Sequence, residues 1–489
     1  MKKLCLVPLL SAVFLNFPVQ EASAQYHQDA LRYTFEIPGQ DAANMGMGGA
    51  SVALGQDFGS FVMNPATSAM GENSYFSFGL GTRDVRETDT YLGQSRNFED
   101  TQTGITNFGM VFQAPTERGA FAIGLGYSQT ADFNRALSVN AFNDQSTITD
   151  FFAEAGNDFF EPAFNAYAID SIPGGGIESS WRWRENVNNP DPYIGINQFT
   201  EMTERGQMGE YTLFASTEFI KNMFVGLSVN IPAGSYSYRR TFIEDQPEDE
   251  DVYDIQTIFT DEEIDASISG FNARLGALYK ILPWFNVGAS YTTQTTLQVS
   301  EDFSNLINTT FTDGEVWEDE YSAVFDYAIT RPSRISAGAA IDDFNGFSAT
   351  ITGERVDYSD IRLEMDDERV LERNENLLIE DQYQEVMNLR AGIAYNIADV
   401  VQLRGGYAYY PTARQDTPGI SNPDRKYYSG GIGFGLGDGM TLDFSLQMGK
   451  WEDENVLYTF TNNAGELVGE FVDEEVRRFH GVIGLKFVF

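Results

Sequence analysis

The sequence predicts an all-β protein, a transmembrane antiparallel β-barrel of about fourteen strands. Three observations support this fold class. After about residue 72, apolar and polar residues alternate with a period of two, as in strands with one apolar face. Short turns and long polar stretches alternate along the chain, which is typical of outer-membrane barrels. No stretch offers about 18 continuous apolar residues, so we expect no transmembrane helix.

The N-terminus has the pattern of a secretory signal over residues 1–24. Lys2 and Lys3 form its positive start, Leu4 to Phe17 form its apolar centre, and Ala22-Ser23-Ala24 forms a cleavage motif. A retained membrane anchor is the weaker alternative, because the apolar run is too short to span a bilayer. We therefore expect an exported mature chain.

Charge and cysteine content exclude several functions. The net charge of −41 is incompatible with binding to nucleic-acid phosphates. The only cysteine, Cys5, lies in the expected signal, which leaves the mature chain without disulfides or thiolate metal sites. The acidic runs 244–254 and 364–375 are interpreted as solvated loops, with divalent-cation binding as the alternative.

The strand faces distinguish a barrel from a soluble sandwich. Residues 441–448 place Leu442, Phe444, Leu446 and Met448 on one face, and polar residues on the other. In a barrel the apolar face meets lipid and the polar face lines the lumen. We therefore expect four charged residues to point into the lumen, where they can pair: Arg390, Arg404, Asp443 and Lys486.

The connections give the strand number. Splitting 318–342 at Pro332 would give fifteen strands, an odd number that does not return both chain ends to the periplasmic side. One long strand bent at Pro332 gives fourteen. The expected turns are 115–118, 220–222, 282–284, 343–346, 398–400 and 437–439. The expected outer loops are 84–102, 131–207, 244–263, 301–317, 361–382, 411–424 and 461–467.

Catalytic and cofactor motifs are missing from the sequence. There is no G-x-S-x-G, Walker, H-E-x-x-H or EF-hand pattern. The G-x-G pairs at 79–81, 124–126 and 433–439 fall within or at the ends of strands, where glycine relieves crowding. Only His27 and His480 could act as histidine bases. We expect no enzyme, no catalytic residue, no cofactor and no metal site.

The longest expected loop, 131–207, contains an apolar segment at 149–169. Phe151 and Phe159 recur there at helical spacing, which predicts an amphipathic helix, although Pro162 can divide it. The helix either packs within its own loop or forms an apolar landing surface at the barrel mouth. On the second interpretation Phe151, Phe159 and Phe160 bind ligand.

The segment from Met45 to Ala69, "MGMGGASVALGQDFGSFVMNPATSA", resembles the N-terminal region of the FadL family of outer-membrane transporters. The similarity rests on the small-residue run Gly46 to Ala50, on Asp57 and on Asn64-Pro65-Ala66. Residues 329–341 and 401–447 are similar to the family's proline-containing strand and its strand–loop–strand block. The middle loops show no such similarity.

This resemblance implies a hatch at 25–71 inside a barrel formed by 72–489. It implies uptake of hydrophobic molecules, typically long-chain fatty acids, across the outer membrane of a Gram-negative bacterium. Sideways release would pass through an opening made by a kinked strand. A channel-forming porin or a structural outer-membrane barrel is the alternative.

The resemblance also suggests roles for particular residues. Within the hatch, Phe58, Phe61 and Met63 are candidates for ligand contact, and Asn64-Pro65-Ala66 for gating. The expected partners are a hydrophobic small molecule, outer-membrane lipid and, through the terminal Phe489, the barrel assembly machinery.

Overall fold

The computed structural model describes residues 26–55, 57–154, 157–172, 175–182, 195–247, 253–366, 368–398, 400–415, 423–462 and 465–489. The expected signal, 1–24, lies outside these residues. None of the described helices is both long and apolar enough to cross a membrane.

The barrel is one closed antiparallel sheet of fourteen spanning strands, as the sequence predicted. Eleven strands are continuous: β1 (Tyr75–Tyr91), β2 (Gln94–Ala114), β7 (Ile196–Ile220), β8 (Met223–Asp245), β9 (Ile255–Leu282), β14 (Phe347–Asp357), β16 (Glu385–Ile397), β17 (Val401–Tyr410), β18 (Arg425–Gly437), β19 (Met440–Thr461) and β20 (Leu467–Val488). Pairing of β1 with β20, from Tyr75 opposite Val488 to Thr90 opposite Asp473, closes the sheet.

Three further spanning strands are broken into two segments each. They are β3 (Phe121–Asp132) with β4 (Arg135–Asn143), β10 (Phe285–Thr292) with β11 (Thr295–Phe311), and β12 (Val316–Arg331) with β13 (Arg334–Phe344). The last break falls at Pro332, where the sequence predicted a bend. Proline has no N–H to donate to the neighbouring strand, so the ladder is interrupted there.

The outer connections are shorter than the polar stretches suggested. The expected loop 84–102 is a hairpin in which only Leu92 and Gly93 turn the chain, and both have positive φ, 46° and 77°. The expected loop 301–317 contains strand as far as Phe311. Both predictions were wrong because the outward face of these strands is mostly polar above the membrane, although their backbones remain paired. The longest outer connection runs from 144 to 195.

Helices and short strands lie inside the barrel and in the outer connections. Inside are α1 (Tyr26–Thr34), α2 (Ala42–Gly46), α3 (Phe58–Met63) and the 3₁₀ helix η1 (Pro65–Met70). The outer connections contain α4 (Ile148–Phe152), α5 (Phe160–Asn165), β5 (Ile169–Ser171), β6 (Ile177–Ser179), η2 (Tyr358–Asp360), β15 (Arg362–Glu364) and α6 (Arg369–Gln382).

The strand faces agree with the sequence prediction. On β19, Phe444, Leu446 and Met448 are exposed on the outer surface, whereas the alternating residues Asp443, Ser445 and Gln447 are buried in the lumen. Arg404 Nη1 lies 2.5 Å from Asp443 Oδ1. Arg390 pairs in the same way with Glu354, at 2.8 Å. Arg404 and Arg390 are thus each neutralised by a lumen carboxylate.

Two apolar clusters fill the upper part of the lumen. The outer cluster lies at the loop end and includes Leu137, Phe152, Phe159, Trp181, Phe303 and Phe460. The lumen cluster lies deeper and includes Tyr26, Tyr33, Phe133, Tyr236, Val299 and Tyr327. Tyr238, Ile264 and Phe325 pack against both clusters.

Candidate functional site

The hatch, residues 26–71, consists of short segments whose ends are capped by their own side chains. Asp41 accepts a hydrogen bond from Asn44 N at 3.1 Å, and Asp57 accepts one from Ser60 N at 2.7 Å. Asn64 caps η1 by accepting from Ala66 N at 3.1 Å. Helices this short are unstable alone. The hatch therefore depends on its contacts with the barrel wall.

The first wall contact is made by Asn64-Pro65-Ala66. The Asn64 amide is fully buried and donates to Val52 O within the hatch at 2.8 Å and to Ala277 O on β9 at 3.1 Å. The wall opposite is glycine. A Cβ on Gly276 would lie 2.1 Å from Asn64 Oδ1, and one on Gly226 would lie 2.5 Å from Ala66 N. Any side chain at these positions would displace the hatch.

The second wall contact is made by Met47 and Gly48 on the opposite side of the barrel. A Cβ on Gly392 would lie 2.4 Å from Met47 O, and one on Gly406 would lie 2.1 Å from Gly48 N. Gly48 itself has φ +70°, and a Cβ there would lie 2.9 Å from Ala391 O. Hatch and wall backbones are therefore packed directly together.

The third wall contact is made by two hatch phenylalanines. A Cβ on Gly109 would lie 2.1 Å from the Phe58 ring, and one on Gly126 would lie 2.4 Å from it. The Phe61 ring centroid lies 5.8 Å from that of Phe214 on β7. Met63 instead faces the hatch interior, where its sulfur accepts from Ser51 Oγ at 3.4 Å.

These wall glycines are hatch contacts that the sequence alone did not identify. The G-x-G pairs were interpreted as relief of strand crowding, but Gly126 makes room for a hatch ring. The signal in the sequence is a lumen-facing glycine on each of six strands, which are β2, β3, β8, β9, β16 and β17. That signal can be interpreted only once the hatch is known to lie opposite these strands.

The lower lumen also contains space beside the hatch. A cavity of about 520 Å³ is bordered by hatch residues Asp41, Asp57 and Phe61 and by Arg404 and Lys486 of the wall. Burial raises the pKa of Asp41, and the charge of Asp57 raises it further. The Asp41 carboxyl can thus remain neutral within this contact.

The hatch also touches the broken strand β3–β4. The β2–β3 ladder ends at Asn107 opposite Ser128, and among the described strands β4 is in register only with β7. β4 lies on the lumen side of β1, where Ser138 N donates to Asp89 Oδ2 at 2.7 Å. The hatch backbone reaches the end of β3 through Ile37 N, which donates to Thr130 O at 2.7 Å. A cavity of about 60 Å³ adjoins this contact.

The apolar segment at the mouth forms two short helices rather than one long helix. Thr147 and Asp150 form a capping box that starts α4, and α5 begins only at Phe160. Pro162 lies in the first turn of α5, where a proline is tolerated. Phe151 and Phe159 are buried in the outer cluster, whereas Phe160 is partly exposed.

The outer face of this segment carries apolar side chains that the sequence did not single out. Phe164 and Tyr167 are about 40% exposed, and the Tyr167 ring lies 5.0 Å from that of Trp317. Both follow Phe160 at near-helical spacing, which was the available signal. Together they form an apolar surface at the barrel mouth.

Glu244 corrects the interpretation of the acidic run 244–254 as solvated. Its carboxylate is fully buried and accepts from Ile148 N at 2.7 Å and from Trp181 Nε1 at 2.9 Å. The start of the run belongs to strand β8, and its first carboxylate anchors the long loop.

Comparison with known proteins supports this geometry. A family model described as outer membrane protein transport protein (OMPP1/FadL/TodX) matches residues 252–472. This match covers just under half of the chain. Members of that family are outer-membrane proteins, and the family consists of transporters and channels rather than enzymes. No curated protein sequence matches the chain significantly.

Solved structures of FadL-family proteins share the fold at low sequence identity. The Pseudomonas putida toluene transporter TodX has a TM-score of 0.54 and 12% identity, with 92% of this chain and 99% of TodX covered. A Pseudomonas aeruginosa FadL homologue has a TM-score of 0.53 and 12% identity, with coverages of 93% and 99%. At this level of sequence identity, the structural similarity shows that the fold is shared.

We predict that Gly276→Val opens the barrel. The new side chain would collide with Asn64, and overpacking of this kind costs about 1–3 kcal/mol. The fraction of molecules with a displaced hatch should rise by about 5- to 150-fold. Ion conductance in a planar lipid bilayer measures this fraction.

Gly481→Val is the matched control, since a Cβ there meets no described atom within 4 Å. Parent-like conductance of a folded Gly276→Val barrel would show that the hatch does not depend on this contact.

Proposed function

We propose that this barrel takes up long-chain fatty acids or closely similar hydrophobic molecules across the outer membrane. The observation that carries the proposal is the apolar path from the mouth to the hatch, formed by the outer cluster and the lumen cluster. A water-filled pore would disfavour an apolar solute, whereas this path can bind one throughout.

The path is long. On β11 the side chains of Leu297, Val299, Phe303 and Ile307 are buried on the lumen side over eleven residues, or about 33 Å, and the buried polar residues Glu301 and Asn305 lie between them on the same face. Phe325 packs against both clusters where they meet. An extended acyl chain suits such a path better than a compact solute does.

The path ends on the first hatch helix. The Tyr26 ring lies 5.1 Å from that of Tyr327, and the Tyr33 ring lies 5.5 Å from that of Phe133 beside the broken strand. A ligand that enters the lumen cluster would compete with α1 for these rings. It would favour a displaced hatch to the extent that it binds that state more tightly.

Hatch displacement would expose further apolar groups. Phe58, Phe61 and Met63 are buried against the wall or within the hatch. In our proposal they contact ligand only after displacement, and the cavity of about 520 Å³ beside them accommodates the movement. Release would then proceed sideways at the β3–β4 break, which Ile37 contacts.

An open porin is the alternative function. It requires a lumen through which polar solutes diffuse freely, and the three hatch–wall contacts argue against it.

Assembly into the membrane is proposed to use Phe489, which is 60% exposed and whose N–H donates to Ser74 O at 2.9 Å.

Uptake in cells that lack their own carrier tests this function. We expect cells producing the barrel to accumulate labelled oleate faster than cells with an empty vector. Faster accumulation of labelled toluene, with oleate unchanged, would assign the barrel to monoaromatic compounds. Faster entry of a hydrophilic sugar alone would support the porin.

We predict that Phe160→Ser with Phe164→Ser weakens capture at the mouth. Each phenylalanine that a ligand covers fully contributes about 1.5–3 kcal/mol, so oleate affinity should fall at least about tenfold. Equilibrium binding to the purified barrel measures this. Val370→Ser, at an exposed position of α6, is the control. Unchanged affinity would assign α5 to loop packing only.

We predict that Asn64→Ala with Pro65→Gly speeds delivery while leaving equilibrium binding near normal. The variant loses the bonds to Val52 O and Ala277 O, each worth about 0.5–1.5 kcal/mol, so the hatch should leave the wall more readily. We compare the uptake of labelled oleate per molecule of folded barrel with the oleate affinity. A loss of affinity with unchanged uptake per bound ligand would place Asn64-Pro65-Ala66 in the binding site.

A further inference from the structure

Three carboxylates converge in the lumen beside the broken strand. Glu87 and Asp89 lie two residues apart on β1, and Glu474 lies on β20 directly opposite Asp89. One oxygen from each carboxylate lies within 4.8 Å of the other two. All three residues are at least 98% buried.

This arrangement is unfavourable for the protein alone. Like charges directly opposite each other destabilise a strand pair, and burying an unpaired carboxylate is costly. Glu474 is compensated, because Arg135 Nη2 lies 2.6 Å from both of its oxygens. Among the described residues, Asp89 accepts a hydrogen bond only from the Ser138 N–H, at its Oδ2.

Glu87 is the decisive residue. It is 2% exposed, and neither of its carboxylate oxygens has a hydrogen-bond partner among the described residues. Asp89 Oδ1 likewise has no hydrogen-bond partner among the described residues. Three buried acceptor oxygens therefore face one small volume.

The neighbouring cations are shared with other groups. Arg135 also lies 3.7 Å from Glu204, and Arg478 donates to Asn134 O at 2.6 Å. Two arginines thus serve the three carboxylates and the Asn134 carbonyl, and Arg135 also shares Glu204 with Arg32, which lies 3.4 Å from it. A deficit of positive charge remains at Glu87 and Asp89.

We propose that Glu87, Asp89 and Glu474 bind a divalent cation, with calcium as the best fit. Hard cations prefer carboxylate oxygens, and calcium accepts irregular sets of about 6–8 oxygen ligands. Glu87 and Asp89 supply three unpartnered oxygens, Glu474 can add a fourth, and water can complete the shell. Magnesium demands stricter octahedral geometry.

The position of the site suggests what it does. Arg135 and Ser138, which bond to Glu474 and Asp89, both belong to β4, the inward half of the broken strand. A bound cation would fix β1 and β20 together under β4. It would thereby stiffen one side of the proposed release opening, whichever hydrophobic ligand is carried.

Calorimetric titration of the purified, EDTA-treated full-length barrel with calcium chloride tests the proposal. We expect a saturable site, calcium binding at least tenfold weaker in Glu87→Gln, and a rise in melting temperature on calcium addition that this variant lacks. Asp84→Asn, on the outward face of β1, should bind calcium as the parent does. No binding at millimolar calcium, or equal binding by parent and Glu87→Gln, would overturn the site.

A crystal of the parent soaked in manganese chloride gives a test that needs no variant. An anomalous peak between the three carboxylates supports the site. Peaks elsewhere with none at this position, or no peak at all, would overturn it.

Discussion

The structure depends on a steric fit between the hatch backbone and glycines of the barrel wall. Gly226 and Gly276 receive Asn64-Pro65-Ala66, and Gly392 and Gly406 receive Met47-Gly48 on the other side. Packing at this distance excludes even a methyl group. It also explains how segments of five or six residues hold a defined shape, since the wall supplies the stabilisation that such short helices lack. Asn64 also fixes the orientation of the hatch, because its side-chain amide donates to Val52 O in the hatch and to Ala277 O in the wall.

This fit places the closure at the periplasmic end and leaves the upper lumen for apolar side chains. The outer and lumen clusters meet at Tyr238, Ile264 and Phe325, and the lower one includes Tyr26 and Tyr33 of the hatch. The same hatch reaches the broken strand through Ile37. One mobile element would therefore connect the apolar path, the lower closure and the gap in the sheet. Because interfaces of this kind have discrete packed states, a small change at α1 can be transmitted to the wall contacts.

Much of the fold follows from local sequence pattern, and much of the site does not. Alternation fixed which residues of β19 face lipid, because side chains of a strand alternate strictly between faces. Small residues around Gly48 indicated a compact insert. The wall glycines could not be found in this way, since Asn64 and its partner Ala277 are 213 residues apart. The two-residue turn at Leu92-Gly93 was missed because it lies between polar strands that resemble a loop. The start of α4 depends on the capping box at Thr147, which a search for apolar spacing does not detect.

A reversible crosslink between hatch and wall tests whether the hatch must leave the wall for ligand to pass. Ser68 Oγ of the hatch lies 2.5 Å from Ser216 Oγ on β7, so Ser68→Cys with Ser216→Cys should form a disulfide. The chain's one native cysteine, Cys5, lies in the expected signal and would not compete. The measurement is oleate uptake by cells producing the double variant, before and after reduction. We expect uptake to be lost in the oxidised barrel and restored by reductant, while oleate capture at the mouth is unchanged. Parent-like uptake by a fully crosslinked barrel would show that ligand passes without movement of the hatch.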